Sequence, residues 1–273
     1  MNAKSLLLLT FFISFSSLAM WFDGLERDLN GVKPGVTIAG REVERLLPGE
    51  VRQVVMELAL QYHRYPVEPR IDKASGRIIP EKDGNLLDVV GCQEMIMNAP
   101  AGAQLEVPLL PVKPRHSSLE LAAAQEVVGQ YQTWVSGSSD RHQNIALAAR
   151  GVNNVLLWPG ESFSFNDTVG PRTPERGYLP APIFLLGAQV MDYGGGVCQV
   201  ASTVYNAALN AGLRIDERHA HTRPVHYVPE GHDATVAYPY LDLRFSNTRE
   251  GPLIVKSGLS GGRLWVKIMG RSK

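Results

Sequence analysis

The sequence predicts an α+β protein: a small N-terminal α+β module, then a domain in which a cysteine-bearing helix packs on a mainly antiparallel sheet. Three observations support this prediction. Apolar residues at helical spacing follow Cys198 as far as Ala211, and Gly212 then provides a helix stop. Several strand-like segments come after this helix. A proline-rich stretch at 109–114 separates this second part from an earlier set of short elements.

Composition places the chain among ordinary globular proteins. Its 273 residues suit one large domain or two smaller ones, and a hydrophobic content of 44% is enough for a core. A charged content of 20% argues against global disorder. The formal net charge is zero, so we expect no nucleic-acid partner that binds through a strongly basic face.

Residues 1–22 predict an export segment. Lys4 precedes an apolar run, Leu6–Ala19, which ends in small residues like those at a secretory cleavage site. Continued through Phe22, the run reaches the lower length limit of a membrane span. A cleaved signal peptide and a retained N-terminal membrane anchor are therefore both open. Either one predicts an exported, extracytoplasmic protein.

Residues 23–112 predict a small α+β module. A short strand precedes a helix that opens at Pro48. The apolar side of this helix consists of Val51, Val54, Val55, Leu58 and Leu60. Short strands broken by turns fill 66–112. Residues 113–116 form a linker, because the closely spaced Pro111 and Pro114 resist both helix and central strand.

The second predicted domain covers residues 117–273. Ser117 and Glu120 fit a capping box at the start of a helix, and another helix is predicted over 141–149. The alternation in 162–166 predicts a strand whose two phenylalanines face the core. After the cysteine-bearing helix, further strand-like segments are predicted at 225–228, 234–238, 241–245, 253–255 and 264–269.

Gly194, Gly195 and Gly196 lead directly into the helix that carries Cys198 in its first turn. Unpaired N–H groups and the positive end of the helix dipole favour thiolate over thiol there. Glycines also let another backbone or a substrate approach closely. Cys198 is therefore a candidate nucleophile, although the same pattern fits a small buried cysteine beside a tight turn. In an oxidising compartment it could also pair with Cys92.

Ordered motifs run through the second half of the chain, from about Arg141 to Phe245. They are Arg141–Ile145, Pro159–Asn166, Gly194–Val200, Glu217–His221, Tyr227–Pro229, Asp233–Val236 and Asp242–Asn247. In these motifs the chain closely resembles the VanW-like family, named after an accessory protein of vancomycin-resistance gene clusters. The N-terminal module resembles, more weakly, the peptidoglycan-binding domain that often precedes a VanW-like domain.

The resemblance implies an exported cell-envelope protein that acts at peptidoglycan, in glycopeptide antibiotic tolerance. The implied partners are peptidoglycan or its peptide and glycan strands, and the N-terminal segment would supply any membrane anchoring. Family membership by itself defines no reaction, so whether the chain is an enzyme is a question for its site.

A cysteine followed by histidines and then aspartates is the order found in transglutaminase-like and papain-like thiol sites. In such a site Cys198 would be the nucleophile, with His221, or else His219, as the base. Asp233 or Asp242 would fix the tautomer of that histidine. His219 and His221 lie two apart, so in a strand they would share one face.

Other interpretations use the same region. The three glycines, Gln199 and Tyr227 could line a groove that binds a wall peptide or glycan without catalysis. In a thiol site, Gln199 could instead direct a dipole at an oxyanion. A zinc site made of His-x-His, a thiolate and a carboxylate ranks below thiol chemistry, since the sequence has neither an HExxH pattern nor a CxxC pair. We therefore predict no metal and no cofactor.

Overall fold

The computed structural model describes residues 20–185 and 188–271. The predicted export segment lies almost entirely outside the described residues, which begin at Met20. Within the two described ranges, no helix combines the length and the apolar composition that a membrane span requires. The chain divides into two compact units: residues up to Val67 with Lys82–Arg115, and Glu68–Glu81 with the chain from His116 onward.

Helices and strands alternate irregularly along the described chain. The helices are α1 (residues 20–30), α2 (Pro48–Tyr62), α3 (Val89–Met97), α4 (Ser118–Ala123), α5 (Ser139–Val152), α6 (Phe165–Val169) and α7 (Val197–Asn210). The strands are β1 (Thr37–Ile38), β2 (Arg41–Glu42), β3 (Arg70–Ile71), β4 (Ile78–Ile79), β5 (Gly84–Leu87), β6 (Gln104–Leu105), β7 (Leu109–Val112), β8 (Glu126–Trp134), β9 (Val155–Leu157), β10 (Ser162–Ser164), β11 (Pro180–Leu185), β12 (Ala188–Tyr193), β13 (Arg214–Glu217), β14 (Arg244–Ser246), β15 (Leu253–Ser260) and β16 (Arg263–Gly270). This mixture confirms the predicted α+β class.

The first unit packs α2 and α3 together beside two small sheets. One sheet has the order β2-β1-β6, with β1 parallel to β6, and the other pairs β5 with β7. Helix α2 begins at Pro48 as predicted, and Val51, Val55 and Leu58 are buried. Leu60 is 85% exposed, because at helical spacing it falls half a turn away from Val51.

The second unit contains a four-stranded antiparallel sheet in the order β8-β16-β15-β9. Helix α7 packs against β8 and β16, and α5 packs against β15 and α7. The cysteine-bearing helix therefore lies on a mainly antiparallel sheet, as predicted. A second antiparallel sheet has the order β10-β14-β13, and β11 pairs with β12 as a hairpin. The short strands β3 and β4 also belong to this unit, where β3 contacts β9.

Four predicted strands differ from the structure. Residues 234–238 form no strand but only isolated bridges at Thr235 and Ala237, and the segment 241–245 is a strand only from Arg244. The alternating segment at 162–166 is extended only to Ser164, whose hydroxyl caps α6 by accepting a hydrogen bond from the Asp167 N–H. Both of its phenylalanines are nevertheless buried. The segment 225–228 forms no strand, since it lies between Pro224 and Pro229, which cannot donate to a ladder.

Candidate active site

The glycine turn before α7 brings three backbone segments into close contact. Gly194 and Gly196 have φ values of 86° and 102°, which non-glycine residues rarely adopt. A Cβ at Gly194 would lie 2.9 Å from side-chain carbons of Arg172. A Cβ at Gly195 would lie 2.7 Å from the carbonyl oxygen of Ala181. The glycines are therefore required by the packing of this turn itself.

Asn144 of α5 holds the glycine turn in place through three hydrogen bonds. Its Nδ2 donates to the carbonyl oxygens of Leu179, at 2.8 Å, and Gly195, at 3.1 Å. Its Oδ1 accepts from the N–H of Leu179 at 2.8 Å. Since Asn144 is completely buried, these bonds tie α5 to the residues that position the start of α7.

Cys198 is the second residue of α7 and is only partly buried. Its Sγ lies 3.5 Å from the carbonyl oxygen of Val236, and the side chain of His221 is close enough to interact with it electrostatically. Burial opposes ionisation of the thiol, but the interaction with His221, the Val236 backbone and the positive charge of Arg172 together hold the pKa of Cys198 below its ordinary value. The site therefore favours the thiolate, the nucleophilic form.

His221 links this thiol to Asp233. The ring Nδ1 of His221 lies 2.6 Å from Asp233 Oδ2, so Nε2 is the nitrogen available to Cys198. Burial opposes protonation of the ring, but Cys198 and Asp233 raise the pKa of His221 above its ordinary value. The cysteine and histidine therefore stabilise each other as a thiolate–imidazolium pair.

Asp233 is held in turn by Arg218. The guanidinium donates to Asp233 Oδ1 from Nη2 and to the Asp233 carbonyl from Nε, both at 2.7 Å. It also lies 5.5 Å from the ring centroid of Tyr205 on α7. Burial would raise the pKa of Asp233, but the bonds from His221 and the charge of Arg218 hold it below its usual value. Arg218 lies within the Glu217–His221 motif, but no local pattern in the sequence indicates its contact with Asp233.

The structure places His219 and Asp242 in other surroundings. His219 Nε2 lies 2.8 Å from Glu217 Oε1. Asp242 accepts hydrogen bonds from the Ser164 hydroxyl at 2.5 Å and from the Asn166 N–H at 2.8 Å, at the start of α6. Of the predicted partners, His221 is thus the histidine that interacts with Cys198, and Asp233 is the carboxylate that contacts this histidine.

Gln199 turns away from the thiol, into the packing between α7 and β8. Its Nε2 donates to Thr133 Oγ1 at 2.9 Å and to the Trp134 carbonyl at 2.8 Å. Its Oε1 accepts from Arg141 Nη2 at 2.7 Å. Because both ends of the amide are occupied, the position of Gln199 is explained by structure alone.

Tyr227 lies beside the thiol and the histidine. Its ring meets that of His221 edge to face, with the centroids 6.5 Å apart. Burial and the charge of Cys198 raise the pKa of Tyr227. The Tyr227 side chain therefore stays uncharged and lies against one side of the site.

The described cysteines are both free thiols, so Cys198 is not paired with Cys92. Within residues 20–185 and 188–271, no group of three or more His, Cys, Asp or Glu side chains is arranged to hold a metal ion.

The fold and this site define an α+β protein with a Cys–His–Asp group at the start of a buried helix. The family described as VanW like protein matches residues 140–269, which include all three side chains. The chain belongs to the VanW-like family. No solved structure matches it with significance.

Two relatives are similar to the chain. It is 36% identical over 219 residues to YoaR of Bacillus subtilis strain 168, described as an uncharacterized protein, and the match covers 78% of this chain and 72% of YoaR. It is 32% identical over 111 residues to the vancomycin B-type resistance protein VanW of Enterococcus faecalis V583. That second match covers 38% of this chain and 40% of VanW.

Proposed function

We propose that the VanW-like domain is a thiol-dependent acyl-transfer enzyme. Cys198 is the nucleophile, His221 the general base and acid, and Asp233 the group that orients His221. The observation that carries the proposal is the 2.6 Å contact of His221 Nδ1 with Asp233, together with the electrostatic interaction between His221 and the Cys198 thiol. A lowered cysteine pKa beside a histidine of raised pKa is the electrostatic pattern that this chemistry requires.

The reaction proceeds in two balanced steps. The Cys198 thiolate attacks an amide carbonyl carbon and forms a thioester, while the imidazolium of His221 gives its proton to the departing amine. Water or an acceptor amine then attacks the thioester and gives a proton to His221. The thiolate leaves and the acyl product is released. We assign the backbone N–H of Cys198, in the first turn of α7, to stabilise the oxyanion that forms in both steps.

Peptidoglycan peptides are the substrate class we propose. The signal-like start of the sequence supports export to the cell envelope. The similar protein VanW is named for vancomycin B-type resistance, which supports a role in tolerance of antibiotics that act on the cell wall. In this account the first unit contributes to wall binding.

A trapping experiment tests the proposal directly. The full chain is incubated with soluble peptidoglycan fragments, quenched in acid to preserve thioesters, and examined by peptide mass spectrometry. We expect an acyl adduct on Cys198 and altered peptide fragments. The Cys198→Ser variant should lose both, whereas His219→Ala, which changes a neighbouring histidine outside the Cys198–His221–Asp233 group, should retain both.

Sedimentation with isolated wall sacculi separates catalysis from binding. We expect both the wild type and Cys198→Ser to sediment with sacculi at moderate salt. Sedimentation without any adduct or altered fragment would overturn the enzymatic proposal and leave a non-catalytic wall-binding role. Failure of both proteins to sediment would remove the wall as their site of action.

A further inference from the structure

Arg172 has a buried hydrogen-bond donor that nothing in the described chain satisfies. Its Nη1 donates to Asn166 Oδ1 at 2.8 Å. Its Nη2 is buried and has no hydrogen-bond partner among the described residues. A guanidinium stays charged in a protein, so a buried N–H of this group without an acceptor is costly.

Among the described residues, no carboxylate forms a salt bridge with Arg172. Its guanidinium carbon lies 5.6 Å from the ring centroid of Phe165 and 6.0 Å from that of Tyr238. The neighbouring acid is Asp242, whose oxygens already accept hydrogen bonds from Ser164 and from backbone N–H groups. The nearby charge of Arg176 is repulsive. An additional anion is therefore the missing component of this cluster.

Arg172 lies beside the proposed nucleophile. Its side-chain carbons occupy the space next to Gly194 that any larger residue would fill, immediately before the start of α7. Its positive charge also stabilises the Cys198 thiolate. An anion bound by the unpaired Nη2 of this guanidinium would thus lie next to an acyl group attacked by Cys198.

We infer that Arg172 forms a carboxylate-binding subsite, so that the acyl substrate carries a free carboxylate close to the bond that Cys198 attacks. This inference rests on the proposed thiol chemistry and narrows its substrate class. A guanidinium matches a carboxylate in shape and charge, and the burial of Nη2 strengthens such a pair. A peptide that ends in a carboxylate near the scissile amide meets this requirement, whereas a peptide amidated there does not.

Two alkylating reagents that differ only in charge test the subsite. Iodoacetate and iodoacetamide each lose iodide as the Cys198 sulfur bonds to their CH₂ carbon, and the first also places a carboxylate beside the thiol. Because both reagents react with the thiolate, the ratio of their rate constants at one pH does not depend on the thiolate fraction. We expect the wild-type ratio to exceed that of free N-acetylcysteine by about tenfold or more, as a hydrogen bond between charged groups provides. Arg172→Gln should remove most of this preference.

Arg176→Gln is the matched control. It removes the same charge from an exposed neighbouring guanidinium whose Nη2 donates to the Val169 carbonyl at 2.8 Å. The control should keep the wild-type ratio. A ratio that Arg172→Gln leaves unchanged, or that both substitutions lower equally, would overturn the subsite.

A measurement on the wild type keeps the test valid if Arg172→Gln fails to fold. Acetate should slow alkylation of Cys198 by iodoacetamide, whereas acetamide and an equal concentration of chloride should not. Equal effects of acetate and chloride would overturn the inference. Fast, pH-shifted alkylation by iodoacetamide without any preference for the anion would refute the subsite alone, and a thiol inert to both reagents would refute the proposed function itself.

Discussion

Asp233 holds His221 at two points. The carboxylate Oδ2 accepts a 2.6 Å hydrogen bond from the backbone N–H of His221 and lies 2.6 Å from its ring Nδ1. The first contact fixes the chain at His221, and the second fixes the tautomer and direction of the imidazole. Because Arg218 occupies the other carboxylate oxygen, the geometry of the histidine is determined by a charged network and not by the imidazole alone.

The Asp233→Asn substitution should therefore lower the reactivity of the Cys198 thiol, although it leaves Cys198 itself unchanged. We expect alkylation of Cys198 to require a higher pH, because an amide neither fixes the ring nor stabilises the imidazolium as a carboxylate does. The free energy of unfolding should also fall by about 2 kcal/mol, since Arg218 loses its ionic partner. Rates of iodoacetamide labelling against pH and urea unfolding measure the two effects.

Asp242→Asn is the control for this prediction. Asp242 also accepts hydrogen bonds from a hydroxyl and from backbone N–H groups, so the protein should lose stability. The pH dependence of Cys198 labelling should remain that of the wild type. A larger shift in Asp242→Asn than in Asp233→Asn would contradict the assignment of Asp233.

The stability contributed by Asp233 should depend on pH with a definite sign. Its pKa is lower in the folded protein than its usual value, so the unfolded chain binds the proton more tightly. The contribution is complete above the unfolded pKa of about 3.9 and is lost as the pH falls through the lower folded value. The difference in melting temperature between the wild type and Asp233→Asn should thus shrink below about pH 4. A difference that grows on acidification would contradict the network.

Gly196→Ala should destabilise the protein more than Gly212→Ala. Both glycines have positive φ, at 102° and 69°. A Cβ at Gly196 would lie 2.9 Å from Ile145 Cγ1, whereas one at Gly212 meets nothing within 4 Å. We expect a loss of about 1 kcal/mol at Gly212 from backbone strain alone. Gly196→Ala should lose at least about 2 kcal/mol in the same unfolding assay. Equal losses would show that packing does not constrain the glycine turn.

Gln199→Ala should act on stability and not on chemistry. The substitution leaves Arg141 without its amide acceptor and the Trp134 carbonyl without its donor, so we expect a loss of about 2–3 kcal/mol. The pH profile of Cys198 labelling in the folded fraction should stay that of the wild type. A shifted profile with unchanged stability would instead support a polar role for Gln199 at an oxyanion.

Much of the fold could be predicted because its signals are local. The apolar spacing after Cys198 predicts α7, and the Ser117–Glu120 capping box is present at the start of α4. The strand predicted at 162–166 is shorter because the Ser164 hydroxyl competes with the ladder by capping α6. Residues 68–81 join the second unit through contacts distant in sequence, such as the 2.9 Å bond from Asn154 Nδ2 to the Lys73 carbonyl.

The site was only partly predictable, because its contacts join residues that are distant in sequence. The sequence identifies Cys198 and restricts its partners to a few residues, but the choice between His219 and His221 depends on a backbone that follows no regular strand. The orientation of the Gln199 side chain could not be predicted from sequence, because it depends on hydrogen bonds with β8 and with Arg141. Arg172 has no local signal, because its significance lies in a contact made across the fold with the turn at Gly194.

The pH dependence of Cys198 alkylation is the decisive measurement for the thiolate–imidazolium pair of Cys198 and His221. Rates of iodoacetamide labelling are measured by peptide mass spectrometry, which separates Cys198 from the buried Cys92, in the wild type, His221→Ala and His219→Ala. The account predicts a wild-type midpoint well below the ordinary thiol value of about 8.5, a midpoint raised toward that value in His221→Ala, and no change in His219→Ala. A wild-type midpoint near 8.5 that neither substitution moves would contradict it.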